Sequence, residues 1–160
     1  MLFLEHKKTY RRVTGLVPDG DWRVPIGVAD VARAGDDLTV VTYGVHRHHC
    51  LTAAEVLAGE GYSVEVIDLR TISPLDRDTV LTSVVRTGRL LIVHEDNVSF
   101  GVGAEVAAIA AEEAFFDLDA PVRRLAMADV PAMPYAMPAE AAVMIGAVEI
   151  AAACRSLLNT

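Results

Sequence analysis

Four stretches of this 160-residue chain bring together side chains able to do chemistry. In VEVIDLRTISPLD (64–76), Asp68 and Arg70 stand two residues apart where an apolar run ends. While the backbone stays extended, both point to the same side. Such charges can close on each other as a strand-end ion pair, or the planar guanidinium can take an external carboxylate or phosphate. Strand geometry does not separate those two readings. In HRHHC (46–50), His46 and His49 fall one helical turn apart, and Cys50 adjoins them. Zinc needs a closed set of about four ligands. No second cluster lies nearby, so neutral histidines at a helix start are expected, and no metal. VHED (93–96) alternates His94 and Glu95, so only one of them faces a crevice. A histidine there could act as an acid or base. SFGVGAEV (99–106) places glycines between a strand and a helix, as phosphate-binding loops do. Val106 occupies the third glycine position of GxGxxG, which weakens a nucleotide reading.

These side chains need elements to hold them, and the punctuation supplies them. LTVVTYG (38–44), VEVIDL (64–69), RLLIVHE (89–95) and PVRRLAM (121–127) read as strands. Helical spacing follows in HHCLTAAEVLAGEG, where Leu51, Ala54, Val56 and Leu57 recur and Gly59 and Gly61 stop the helix. It returns in SPLDRDTVLTSVVRTG (73–88), with an apolar side of Leu75, Val80, Leu81, Val84 and Val85. There Ser73 is the expected N-cap, Pro74 the first helical residue and Asp76 the third residue of a capping box. GAEVAAIAAEEAF (103–115) and a stretch centred on EIAAACRSLL (149–158) complete the helices. The prolines of VPAMPYAMP (130–138) hold Met133, Tyr135 and Met137 out of a helix, where exposed apolar groups suit a protein interface.

Strand and helix alternate four times with short connections. Near-continuous apolar strands imply a parallel sheet covered by helices on both faces. In such sheets the carboxyl ends of the strands carry the ligand crevice, which is where Asp68, Arg70, His94 and Glu95 fall. The expected fold class is therefore α/β: one domain over 1–160, with residues 1–35 an edge strand, for which LFLEHK is a candidate, and an extended lead-in, and residues 36–160 the alternating core.

Composition narrows the function. The formal charge is −8, from 22 acidic and 14 basic residues. Nucleic-acid binders carry the opposite balance, because their affinity comes from neutralising phosphates. An acidic surface can steer a basic protein partner instead. No uninterrupted apolar run reaches the ~18 residues of a membrane span. Cys50 and Cys154 are the only two cysteines and form no CxxC, which suits a reducing cytoplasm.

Taken together, EVIDLRTISPLD, TGRLLIVHED and GAEVAAIAAEEAF resemble the C-terminal domain of the beta subunit of thiamine-diphosphate-dependent 2-oxo acid dehydrogenases, the pyruvate and branched-chain types. FLEHKKTYR, VPIGVADVARAGDDLTVVTYG, LDAPVRRLAM and DVPAMPYA extend the likeness over roughly 3–158 in the family's order. The resemblance implies a three-layer α/β/α domain with a five-stranded sheet, one strand antiparallel. It further implies an alpha subunit and a second beta subunit as partners in a heterotetramer, and docking of the small basic binding domain of the lipoyl-bearing acyltransferase. His48 falls where many members carry a histidine, and VHED lies toward subunit interfaces and the mouth of the active site.

Thiamine diphosphate and magnesium would be held by other domains of the complete enzyme. Of the Gly-Asp-Gly that begins its diphosphate motif, only Pro18-Asp19-Gly20 comes near, with no paired asparagines downstream. The chain starts where the family's second domain starts, so a domain excised or split from a longer subunit is expected, inactive by itself. A transketolase or deoxyxylulose-phosphate synthase domain, in some of which the arginine matching Arg70 meets substrate phosphate, is the alternative. A free-standing flavodoxin-like nucleotide module is another. EHKKTYR and VHED lean to the branched-chain type, FGVGAEV and DVPAMPYA to the pyruvate type.

Overall fold

The computed structural model describes residues 4–10 and 13–160. Three runs dominated by β-branched and leucine side chains form its centre: β2 (Leu38–Thr42), β3 (Val64–Asp68) and β4 (Leu90–Asn97). β2 is parallel to β3 on one side and to β4 on the other. β5 (Arg123–Met127) adds to β4 in parallel, and β1 (Asp30–Arg33) pairs antiparallel with β3. The sheet order is β1-β3-β2-β4-β5. The antiparallel edge strand thus comes from the lead-in. Of the LFLEHK segment, Leu2 and Phe3 lie outside the described residues; Leu4–His6 carry no strand, and a 3₁₀ turn (Lys7–Thr9) follows.

Helices cover both faces. α1 (His46–Gly59) and α5 (Ala147–Leu158) bury Cys50, Leu57, Ile150 and Leu157 against Val40, Val66 and Leu91. α2 (Arg77–Thr87) and α3 (Val102–Glu113) bury Val80, Val84, Val106 and Ala110 against Val41, Ile67 and Ile92 on the other side. Alternate residues of each strand feed alternate cores, so the polar side chains of Thr39, Thr42, Glu65 and His94 in the central strands are buried with them. Val56 and Val85, expected on the buried sides of their helices, are half exposed because each sits just past the edge of its helix's sheet-facing stripe.

α4 (Met137–Val143) and α5 belong to a stretch of 22 residues, Met137–Leu158, containing an 18-residue window whose mean hydropathy of 1.7 meets the length and composition of a membrane span. Glu140, Glu149 and Arg155 interrupt its apolar run. Met144–Gly146 break it into two helices, and α5 turns Ile150, Ala151, Cys154 and Leu157 into the core.

The start of α2 corrects the expected cap. Ser73 does not cap it; Asp76 does, accepting hydrogen bonds from the Thr79 backbone N–H (3.1 Å) and the Thr79 hydroxyl (2.8 Å). The same carboxylate accepts from the Ala29 N–H at 2.8 Å. One side chain therefore satisfies a helix end and ties down the lead-in to β1, two tasks a serine hydroxyl at position 73 could not combine. At the far end Gly88 adopts φ +65° and donates its N–H to the Val84 carbonyl, an αL cap.

Two thiols are free and buried, Cys50 and Cys154, one on each helix of the α1/α5 layer. Burial pushes the Cys154 thiol up to about 12 and raises that of Cys50 as well. Both are neutral packing groups.

Candidate functional site

The carboxyl ends of β2 and β3 open into a cavity of about 960 Å³. Tyr43, Gly44, Arg47, His48, Asp68 and Arg70 line one side of it. The opposite wall is made by Leu4, Glu5, His6, Thr9 and Tyr10.

Its charges interlock across three elements. The antiparallel register sets Asp30 of β1 directly opposite Asp68 of β3, a placement that is unfavourable for two carboxylates. Two arginines resolve it. Arg47, in the first turn of α1, reaches Asp68 Oδ2 with Nε (3.4 Å) and Asp30 Oδ2 with Nη2 (3.6 Å). Arg70 Nη2 meets Asp30 Oδ1 at 3.0 Å. Asp68 and Arg70 thus do not pair side chain to side chain. Instead the Arg70 backbone N–H donates to Asp68 Oδ1 (3.1 Å), and Arg70 sits at φ +56°, a left-handed turn that swings its side chain toward β1. Burial raises the Asp68 carboxyl above its usual value, against the pull of the Arg70 N–H and of Arg47.

An acid whose folded pKa is raised gives stability that is fully present below the unfolded pKa and is lost as pH rises through the folded value. Asp68→Asn removes that loss. Relative to the unsubstituted chain, its stability in urea titrations is therefore expected to be better at pH 7 than at pH 3. The opposite trend would mean that the arginines outweigh burial.

His48 lies in the cavity wall, its pKa lowered by burial and by Arg47. His46 and His49 meet edge to face at 5.4 Å, but they serve different partners. His49 Nδ1 contacts the Ile145 carbonyl at 3.2 Å, His46 is buried, and Cys50 points into the core. Among the described residues, no three His, Cys, Asp or Glu side chains converge as metal ligands.

VHED divides as the strand alternation requires. His94 is fully buried, accepts the Gly103 N–H on Nε2 at 3.2 Å and stacks on Tyr43 (centroids 6.2 Å, planes 11° apart). Burial lowers its pKa, so it is a neutral imidazole. It helps explain the glycines that follow: a Cβ on Gly103 would lie 2.5 Å from His94 Nε2, and one on Gly101 would lie 2.7 Å from His94 Cε1 and 2.4 Å from the Asn97 carbonyl oxygen. The glycines make room for a ring, and the α3 N-terminus gives its Gly103 N–H to that ring instead of offering it to a phosphate. Glu95 turns the other way and pairs with His6 Nε2 at 2.7 Å.

Tyr135 stands outside the cavity, fully exposed. Phe100, which the sequence did not single out, is equally exposed and held at φ +60°. Asp129 connects their loops by accepting from the Ser99 hydroxyl (2.6 Å) and N–H (3.2 Å). The sequence reading also missed Asp30, Arg47, Tyr43 and His6. Arg47 stood inside the HRHHC cluster that drew notice, but nothing in the sequence shows that Asp30 lands opposite Asp68.

At the amino end of the sheet lies a smaller hollow of about 290 Å³, lined by Glu65, Ser83 and Arg86 among others. Glu65 is buried there, accepts from the Ser83 hydroxyl and pairs with Arg86, which also holds the Gly35 carbonyl and Asp36. The Thr39 hydroxyl bridges Ser83 (2.6 Å) and Thr87 (2.7 Å). Every carboxylate in this network has its partner, which makes it a lock between β2, β3 and α2.

Comparison with known proteins agrees with this architecture. The family described as transketolase, C-terminal domain, matches residues 27–150. The 2-oxoisovalerate dehydrogenase subunit beta of Bacillus subtilis (strain 168) is 48 % identical over 157 residues, which cover 98 % of this chain and 48 % of the relative. The pyruvate dehydrogenase E1 component subunit beta of Staphylococcus epidermidis is 46 % identical over 129 residues, covering 81 % of this chain and 40 % of the relative. The chain thus spans about half the length of the curated relatives it matches. Among solved structures, a split-gene transketolase in an inactive beta4 tetramer superimposes with a TM-score of 0.77 at 28 % identity, over 91 % of this chain and 46 % of that one. A 2-oxoglutarate:ferredoxin oxidoreductase from Magnetococcus marinus, at 8 % identity and a TM-score of 0.53, covers 82 % of this chain and 19 % of its own and shares the fold alone. With five strands in this order, one of them antiparallel, and a family match across 27–150, the chain belongs to the transketolase C-terminal domain family.

Proposed function

We propose that this chain is the C-terminal assembly and docking domain of a 2-oxo acid dehydrogenase beta subunit. The observation that carries the reading is 48 % identity over 98 % of the chain to a 2-oxoisovalerate dehydrogenase beta subunit. The complete enzyme would decarboxylate a branched-chain 2-oxo acid or pyruvate oxidatively and pass the acyl group to lipoyl, in the cytoplasm. In that enzyme the domain would join an alpha subunit and a second beta subunit.

The described residues offer thiamine diphosphate and magnesium a poor fit. Asp19 and Gly20 form an exposed turn, and the glycine loop at 101–103 is filled by His94. This supports the reading that other domains of the assembly hold the cofactor, and no step of the chemistry is assigned to this chain. Calorimetry of the chain with thiamine diphosphate and Mg²⁺ is expected to show no micromolar binding, and a clear micromolar isotherm would refute the assignment.

The formal charge of −8 supports docking onto a basic partner, the peripheral binding domain of the lipoyl acyltransferase. Surface charge of this kind acts through a screening length of about 10 Å at 0.1 M salt and about 3 Å at 1 M. Binding measured by fluorescence anisotropy should therefore weaken by roughly ten-fold or more between those two conditions. No binding at low ionic strength, with both partners folded, would count heavily against the reading.

The transketolase-type alternative draws on the split-gene transketolase neighbour, whose identity of 28 % is well below that of the dehydrogenase subunits. A nucleotide module would need the α3 N-terminal donor that His94 already occupies.

A further inference from the structure

α3 takes its first-turn cap from another element. Its own N-cap is Gly101, which has no side chain with which to accept from the helix's leading N–H groups. β4 supplies the acceptor: His94 Nε2 takes the Gly103 N–H at 3.2 Å. Nε2 can accept only while it carries no hydrogen, so the single proton of the neutral ring is on Nδ1. The imidazole has no exposed surface, Tyr43 stacks on it, and Gly103 is itself buried. One buried hydrogen bond to a titratable ring therefore joins the start of a helix to a central strand.

We propose that His94 is a proton-operated clasp: the neutral ring holds the start of α3 to β4, and protonation of Nε2 releases Phe100–Gly103. A proton on Nε2 turns the acceptor into a donor that faces the Gly103 N–H. That N–H is then left buried and unpaired, which is costly. The imidazolium would also lie against the positive end of the α3 dipole. The groups around the ring pull in both directions. Burial opposes the proton most, Asp96 of β4 favours it and Arg124 of β5 opposes it, so the net direction is downward. Tyr43, beyond the end of β2, is a neutral phenol, raised by burial and then by Asp96 and Glu95. Glu105, in the first turn of α3, is exposed. A histidine lowered in this way secures stability that is present above its unfolded value of about 6.5 and lost as pH falls. The release is bounded, because Val98 and Ser99 have anchors of their own. Arg124 Nη1 donates to the Val98 carbonyl (2.7 Å), the Val98 N–H goes to the Met127 carbonyl (2.8 Å), and Ser99 holds Asp129. The freed span carries Phe100, fully exposed at φ +60°, so the clasp governs how that aromatic ring is presented. Every bond involved lies within this domain, and the inference does not depend on the proposed function.

Nuclear magnetic resonance on the ¹⁵N-labelled full chain tests it. At pH 7 the His94 ring should show the Nδ1–H tautomer; an Nε2–H ring would overturn the proposal at once. Between pH 7 and pH 4.5 the ring should take up its proton. Over the same range the backbone order parameters of Gly101 and Gly103 should fall from the rigid value of about 0.85 to below about 0.6. Those of Val41 in β2 and Val98 should stay high. His94→Gln places an amide oxygen, which takes up no proton, where Nε2 can be replaced as acceptor, and it should keep Gly101 and Gly103 rigid at both pH values. Should that variant not fold, the tautomer and the coincidence of ring titration with loss of order in the unsubstituted chain still decide. A ring that stays neutral at pH 4.5, or one that is protonated while Gly103 stays rigid, overturns the clasp. So does loss of order that spreads to Val41, or that persists in His94→Gln.

Discussion

Gly35→Ala should destabilise the domain by about 3 kcal/mol, at the upper end of the usual cost of inserting a methyl into filled space. The corresponding fall in the thermal midpoint is on the order of 10 °C for a domain of this size. A Cβ at position 35 would lie 2.3 Å from the Val64 carbonyl carbon and 2.4 Å from the Glu65 nitrogen. Both are backbone atoms at the start of a central strand, so neither can rotate away as a side chain would. The Gly35 carbonyl also accepts from Arg86, which holds Glu65, so a displaced loop disturbs the buried Thr39–Ser83–Glu65 network as well. Gly59→Ala is the matched control. It sits in the last turn of α1 with nothing within 4 Å of its Cβ position. There the substitution is expected to stabilise by about 0.5 kcal/mol, by restricting the unfolded chain. Calorimetric melting of both variants decides the matter, and equal effects at the two sites would refute the packing argument.

His46→Gln should remove a large part of the domain's acid sensitivity. Burial first, and His49 after it, hold the His46 imidazole down to about 4 against the opposite pull of Glu95. A histidine with its folded pKa below its unfolded value takes up its proton on unfolding. The stability it secures is fully present above the unfolded pKa of about 6.5 and drains away as pH falls toward 4. That window corresponds to as much as about 3 kcal/mol for the unsubstituted chain. Urea titrations at pH 7 and pH 4.5 should show the unsubstituted chain losing about 2 kcal/mol more than His46→Gln. His94, also lowered by burial, is present in both proteins and cancels from the difference. Parallel pH profiles would show that His46 is protonated in the folded state.

Much of the architecture was legible because it depends on local pattern. Strand runs such as LTVVT and VEVID are short and rich in β-branched residues, and the helices between them carry their own stops, as at Gly88. The antiparallel β1 was not legible as a strand: DVAR is four residues of mixed polarity, and only its pairing with β3 makes it one. The Ser73 cap failed for a related reason. Local spacing favoured the hydroxyl, whereas Asp76 also gains a partner, Ala29, 47 residues away in sequence.

The candidate site divides along the same line. Residue order and side-chain chemistry were enough to determine that Asp68, Arg70, His94 and Glu95 would gather at the carboxyl edge of a mainly parallel sheet, since strand direction and alternation are properties of the chain itself. Which of them would touch was decided only in three dimensions. Arg70 chose Asp30, Arg47 bridged the two carboxylates, His94 went under α3, and Glu95 caught His6. Charge pairing falls off over a few ångströms and ignores distance along the chain, so partners contributed by β1, α1 and the N-terminal segment could emerge only once the sheet had brought those elements together.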